Sequence, residues 1–292
     1  VMTKHRLKLH IKPFTVVCFV VLAAYAILLV LPLLWGLMTS FKNLMDFTTH
    51  PLGFPQTWVF SNYLTAFEFF YVQLDARTYV YVEMMAVYSV LYAGGCAFVQ
   101  TLAACIVAYA TARFDFRLSK VIYGIVLVTM VLPIVGNLPS EIRIAKTFGL
   151  YDQIWGLWIM KANFLGMYFL VFYATFKGLP MAYTEAAKID GANNMRILLR
   201  IVLPLAKNTF FTVMLINFIA FWNDYQTPLI YLPSYPTIAL GMYHMASTTE
   251  NGMSYVPMRM TGAVLMMIPI MVLFMLFHKR LLGNVTVGGI KG

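Results

Sequence analysis

The sequence predicts an all-α membrane protein with six transmembrane helices and a short helix in a polar cytoplasmic loop, and three observations lead there. Of 292 residues, 61% are hydrophobic and only 11% are charged, far from the balance of a water-soluble domain. Six apolar runs approach the roughly 20 residues needed to cross the hydrocarbon of a bilayer. Lys and Arg gather on alternate loops between those runs, which fixes a sidedness.

The first run covers about 14–38. It is longer than the apolar core of a cleavable signal and no small-residue cleavage site follows, so it is expected to stay as the first helix. The second covers about 84–111 and the third about 121–138. The fourth, 154–176, contains Lys161, whose long stem is expected to snorkel to the headgroups. The fifth, 208–232, contains Asp224, and the sixth covers 260–277. Together they make residues 1–292 a single transmembrane domain.

With the N-terminus inside, the cytoplasmic pieces hold four Lys or Arg in 1–13, three in 112–120, five in 177–207 and three in 278–292. The outer loops hold only Lys42, Arg77, Arg143, Lys146 and Arg259. The positive-inside rule therefore puts both termini in the cytoplasm. The net charge of +10 could suit nucleic acid, but the basic residues flank apolar runs and form no continuous face. Membrane lipid, not nucleic acid, is the expected surround.

Other chemistry is sparse. Cys18, Cys96 and Cys105 all fall in apolar runs and read as small core hydrophobes. The five histidines show no metal or triad spacing, so neither a metal nor a catalytic residue is expected. Methionines such as Met266 and Met271 read as gap fillers in helices. No G-x-x-x-x-G-K-[ST] phosphate cradle is present, so the chain is expected to bind no ATP in that way.

The stretch 177–207 is polar between two apolar runs. In it Pro180 is suited to start a helix and Gly191 to end one in a left-handed cap. The ten residues between them make a helix of about 15 Å. Met181, Ala182, Ala186 and Ile189 share one face, while Glu185, Lys188 and Asp190 point elsewhere. With no Trp, Phe or Leu in 181–190, that face is too small for strong anchoring at a membrane surface. Its alanines would let another protein surface come close.

Glu185, Ala186 and Ala187, then Gly191, then Ile201, Leu203 and Pro204 reproduce the spacing EAA-x3-G-x9-I-x-L-P. This resembles the EAA loop of permeases of ABC importers. "PLGFPQTWVFSNYLTAF", "AYATARFDF", "FGLYDQIWGL", "FWNDYQTPLIYL" and the tail "VTVGGIKG" are similar, in order, to segments of the sugar-uptake branch, the second permease of maltose-type systems. Tyr88 before Ser89, and Tyr173 where the family often has Arg, depart from that pattern. The resemblance implies a type I ABC importer permease fold, with Glu185, Ala186, Ala187, Asp190 and Gly191 in a coupling helix docked on an ATP-binding subunit. It further implies a homologous permease as heterodimer partner, two ATP-binding subunits that bind ATP and Mg, and an extracytoplasmic sugar-binding protein. The setting implied is a bacterial cell membrane.

Asp224 is the carboxylate deepest in a run, about 24 Å from Asn208 along a helix. A carboxylate at such a place seldom faces lipid. Trp222, Asn223 and Tyr225 flank it, and aromatic faces beside amide and carboxylate acceptors suit a sugar. Two readings stand side by side: a substrate pathway lined by Trp222, Asn223, Asp224 and Tyr225, or interface aromatics beside an Asp that bonds a helix end. The rival to an ATP-driven importer is an ion-coupled secondary transporter subunit, which would need coupling acids within the membrane.

Cysteines introduced at Thr57 and Asn194 are expected to label from opposite sides of intact cells. Labelling of both from outside would overturn the topology.

Overall fold

The computed structural model describes residues 13–114, 116–132, 136–247 and 255–283. The basic segment 1–12, Asp115, residues 133–135 of the third run and the Gly-rich tail 285–292 lie outside these. The chain opens with α1 (Pro13–Thr39), followed by an outer lobe of α2 (Leu44–Thr49), α3 (Ser61–Phe69) and an antiparallel hairpin, β1 (Tyr71–Asp75) with β2 (Thr78–Tyr81). Then come α4 (Val82–Arg113), α5 (Arg117–Val131), α6 (Leu138–Thr147), α7 (Ile154–Met160) and α8 (Met167–Gly178). The polar loop carries α9 (Ala182–Ile189), α10 (Asn194–Ile197), a π turn (Leu198–Val202) and α11 (Leu203–Leu205). It leads into α12 (Lys207–Trp222), α13 (Gln226–Tyr231), α14 (Ile238–Ser247) and α15 (Val256–Gly283).

Among the described residues α1, α4 and the Val256–Phe277 part of α15 are each long and apolar enough to cross a membrane. Asn194–Leu205 with Lys207–Trp222 is a further candidate, bent by 76°. The other expected spans are built in pieces. The fourth run breaks between α7 and α8, where the Asn163 side chain accepts from Leu165 N at 2.8 Å and Gly166 sits at φ 133°, a conformation that no helix can continue. The fifth breaks at Asn223–Tyr225, where Asp224 Oδ1 accepts from Thr227 N at 3.1 Å and starts α13. The third run is described as α5, 15 residues ending at Val131, so six crossings need α5 to serve as the third and α7 with α8, and α12 with α13, to act as joined pairs.

α4 lies at the centre, against α12, α8 and α7. Its buried positions include Ala93, Cys96, Ala97, Ala104, Cys105, Ala108 and Ala112, small side chains that let neighbouring backbones approach. The cysteines are free, Cys96 and Cys105 buried in this packing. Polar bonds pin the neighbours: Asn217 Nδ2 donates to Thr101 Oγ1 at 3.0 Å, and Ile238 N donates to Ser89 Oγ at 2.8 Å. The outer lobe is fastened in turn. Lys42 is fully buried and donates to His50 O at 2.6 Å, Asn62 donates to Ser40 O and Lys42 O, and Thr261 of α15 donates to Ser40 O. α1 packs on α15 and leaves residues such as Phe14 and Phe19 exposed, which is costless against lipid tails.

Gly95 makes the α4–α7 contact: a Cβ there would lie 2.0 Å from Trp158 Nε1, the group that donates to Leu91 O at 3.0 Å. At Gly94 a Cβ would meet nothing within 4 Å. Gly95→Ala is thus expected to lower stability by about 1–3 kcal/mol through overpacking. Gly94→Ala should leave it level or raise it by up to about 1 kcal/mol. Thermal unfolding of the solubilised complex checks the order, and equal effects would refute the packing account.

Candidate functional site

α9 ends as the sequence expects. Gly191 has φ 75°, its N–H donates to Lys188 O at 3.0 Å, and Ala192 N donates to Ala187 O at 2.9 Å, the two reverse bonds of a Schellman closure. Its start differs by one step. Met181, not Pro180, is the cap residue, and its carbonyl accepts from Thr184 N and Glu185 N at 2.8 and 3.0 Å. Leu179 before the proline is extended, as the proline ring requires, so Pro180 stands just outside the first turn.

Only Thr184 and Ala187 of this helix are buried. Ala187 joins the cluster of Ala108, Ala112, Phe176, Ile197 and Val202. Met181, Ala182, Ala186 and Ile189 open outward with Glu185, Lys188 and Asp190, and Ile189 is 87% exposed. An uncovered apolar patch of this kind within a charged rim marks a surface that meets another protein.

Two features tie α9 to the membrane helices. Arg113, at the end of α4, donates from Nη2 to Leu179 O at 2.7 Å and reaches the Met181 sulfur with Nη1. A cation in the last turn also suits the negative end of the helix. The second is the path from α9 into α12. Asn193 Oδ1 accepts from Arg196 N at 2.8 Å to start α10, a π turn follows, and the chain then bends by 76° at Ala206. Pro204 lacks an N–H and its ring would clash with the carbonyl four residues back, so the preceding turn widens. Ile201, Leu203 and Pro204 thus lie in the bent connection between α9 and α12.

The residues proposed from the fifth run are only partly brought together. Asp224 points into the bundle: Tyr92 OH, on a fully buried ring of α4, donates to Oδ2 at 2.9 Å, while Oδ1 holds Thr227 N. Trp222 is 3% exposed, stacks on Phe218 with centroids 5.6 Å apart and donates to Met266 O at 3.2 Å. Its ring is spent on packing against α15. Asn223 is exposed and donates to Ile219 O of its own helix. Tyr225 stacks on Tyr243 with centroids 4.6 Å apart, so an aromatic pair stands beside the break. Tyr92, Tyr243 and Arg113 were not singled out from the sequence as partners, because nothing in spacing links positions this far apart in the chain.

Residues 100–286, more than half the chain, match the family described as binding-protein-dependent transport system inner membrane component. Over 280 residues the chain is 27% identical to the diacetylchitobiose uptake system permease protein of Streptomyces coelicolor, covering 94% of this chain and 88% of that protein. It is also 27% identical over 279 residues to the galactooligosaccharides transport system permease protein of Bacillus subtilis, covering 94% of each. A solved chain of a bacterial ABC transporter that imports the acidic polysaccharide alginate has the same fold. Its TM-score is 0.74 at 22% identity, over 91% of this chain and 95% of that one.

The Asp224 contacts make a test of their own. Tyr92→Phe removes one donor from a carboxylate in the bundle and is expected to cost about 1–3 kcal/mol, whereas Asp224→Asn keeps Oδ1 for Thr227 N and sets an amide Nδ2 against Tyr92 OH, whose oxygen can accept from it, and should cost less. Thermal unfolding of the two variants checks the order; a neutral Tyr92→Phe would mean the bond contributes nothing.

Proposed function

Since the chain belongs to the binding-protein-dependent transport system inner membrane component family, we propose that it carries a sugar or oligosaccharide across the membrane, with its pathway bordered by the α12–α13 break. It is a multi-pass membrane permease of an ABC importer and works with a binding protein and an ATPase. In the proposed assembly the other permease is a homologous chain, two ATP-binding subunits hold ATP and Mg, and this chain binds no cofactor. Both termini lie in the cytoplasm of a bacterial cell.

The observation that carries the coupling role is α9: a helix closed by Gly191, anchored on one side by Ala187 and uncovered on the other. Glu185, Ala186, Ala187, Asp190 and Gly191 form its motif. Movement of an ATP-binding subunit would push the uncovered face. Arg113 then passes that motion to α4, and the π turn with its bend passes it to α12. In the outer half Asn223 and Tyr225 border the pathway, while Trp222 and Asp224 fix the wall behind them. The sugar assignment is supported by the named substrates of the relatives above and by the aromatic and amide groups at the break. An ion-coupled carrier has no support in this family, and Asp224 already serves two hydrogen bonds.

Gly191→Val forces a β-branched residue into positive φ, and should cut sugar transported per ATP hydrolysed several-fold in the reconstituted complex. Gly191→Asn, which tolerates that conformation, should lose far less. If Gly191→Val couples ATP hydrolysis to uptake like the parent protein, the role given to this cap is wrong.

A further inference from the structure

The break in the fourth run leaves a cavity of about 420 Å³, within the roughly 300–1,000 Å³ of small-molecule sites. Gln100, Glu141, Lys161, Asn163, Phe221 and Tyr231 are among its lining residues. Gln100 lies about 27 Å along α4, a helix of about 48 Å, and so near the middle of the membrane. Lys161 caps α7 and lines this space.

Polar groups at that depth are expensive unless they meet water or one another. The Lys161 ammonium and the Gln100 amide make no hydrogen bond or salt bridge among the described residues. Glu141 accepts on both oxygens, from Tyr231 OH at Oε2 (3.0 Å) and from the Asn137 amide at Oε1, and Asn163 Oδ1 is taken by Leu165 N. Glu141 and Asn163 are exposed in the isolated chain. Glu141 belongs to the expected outer loop between the third and fourth runs, so the cavity reaches from the middle of α4 toward the outer, aqueous side.

We infer that this cavity is a subsite for one neutral sugar unit, supplied by this subunit at the break between α7 and α8. This rests on the sugar-import reading above. The chemistry matches on three counts. Lys161 donates and Gln100 both donates and accepts, which suits hydroxyls. Glu141, held at both oxygens, offers a carboxylate charge to set against that of Lys161, so the cavity as a whole favours a neutral ring over an acidic one. Phe221, half-buried beside the buried Tyr231, offers ring surface to the apolar C–H face of a sugar. Lys161 and Gln100 are specificity-determining groups on this account.

The test uses the full complex with its binding protein in proteoliposomes, and radiolabelled maltose, cellobiose, galactobiose and diacetylchitobiose as probes. The readouts are the concentration giving half-maximal uptake and the ratio of initial rates for two transported sugars, a ratio that does not depend on how much complex has inserted. Lys161→Met and Gln100→Leu are each expected to raise the half-maximal concentration by about tenfold, the effect of losing one good hydrogen bond to substrate, and to change the ratio. Lys161→Arg should keep the parent ratio. Unchanged half-maximal concentration and ratio in both apolar variants would overturn the subsite while leaving the import reading intact. Uptake of none of the sugars by the parent complex would overturn the import reading and the subsite with it. Uptake confined to an oligouronate added to the panel would overturn the neutral-ring assignment alone.

Discussion

The close approach of three partners to α4 is the constraint on which the rest of this protein depends. Helices in lipid gain little from hiding apolar surface from one another, so they hold together by packing and by a few hydrogen bonds. The alanines and cysteines of α4 supply the packing, and Gly95 lets an indole lie directly on a backbone. Thr101, Ser89 and Tyr92 supply the bonds, to Asn217, Ile238 and Asp224. Both ends of the molecule then take their positions from this helix. At one end Arg113 ties α4 to the start of α9, and at the other Tyr92 holds the break between α12 and α13.

Breaks in otherwise apolar runs bring cost and use together. An interrupted helix frees backbone groups that lipid cannot satisfy, so the break persists only where protein or water serves them. At Lys161–Gly166 the Asn163 side chain serves the chain locally, and the remaining polar groups line a cavity. At Asn223–Tyr225 the Asp224 carboxylate caps α13 while being held from α4. At these two breaks the polar chemistry exists because regular structure stops there.

The loop that carries α9 obeys the opposite rule in the proposed topology, where it stands in water and apolar exposure is costly: it leaves Ile189 and Met181 uncovered and buries little more than Thr184 and Ala187. A helix this short is not stable on its own. Its closure at Gly191, its anchor at Ala187 and the contact from Arg113 hold it in place with its other side uncovered, and the π turn and bend at Leu198–Ala206 connect it to α12.

Several of these features were legible in the sequence because they depend on local rules. Apolar run length marked α1, α4 and α15, and the EAA spacing with a glycine at its end located α9 and its cap, since a left-handed cap is a property of a few consecutive residues. The outward face of Met181, Ala182, Ala186 and Ile189 followed from helical periodicity. What only the tertiary structure decided is which polar groups meet: that Asp224 meets Tyr92, that Trp222 is taken up by α15, and that Lys161 shares a cavity with Gln100 and Glu141. These pairs are separated by tens of residues or more, and in an apolar bundle a polar side chain takes whichever partner the packing of whole helices brings within reach. Helix breaks at Lys161–Gly166 and Asn223–Tyr225 were hidden for a related reason: hydropathy averages over a run, whereas a break depends on single capping bonds.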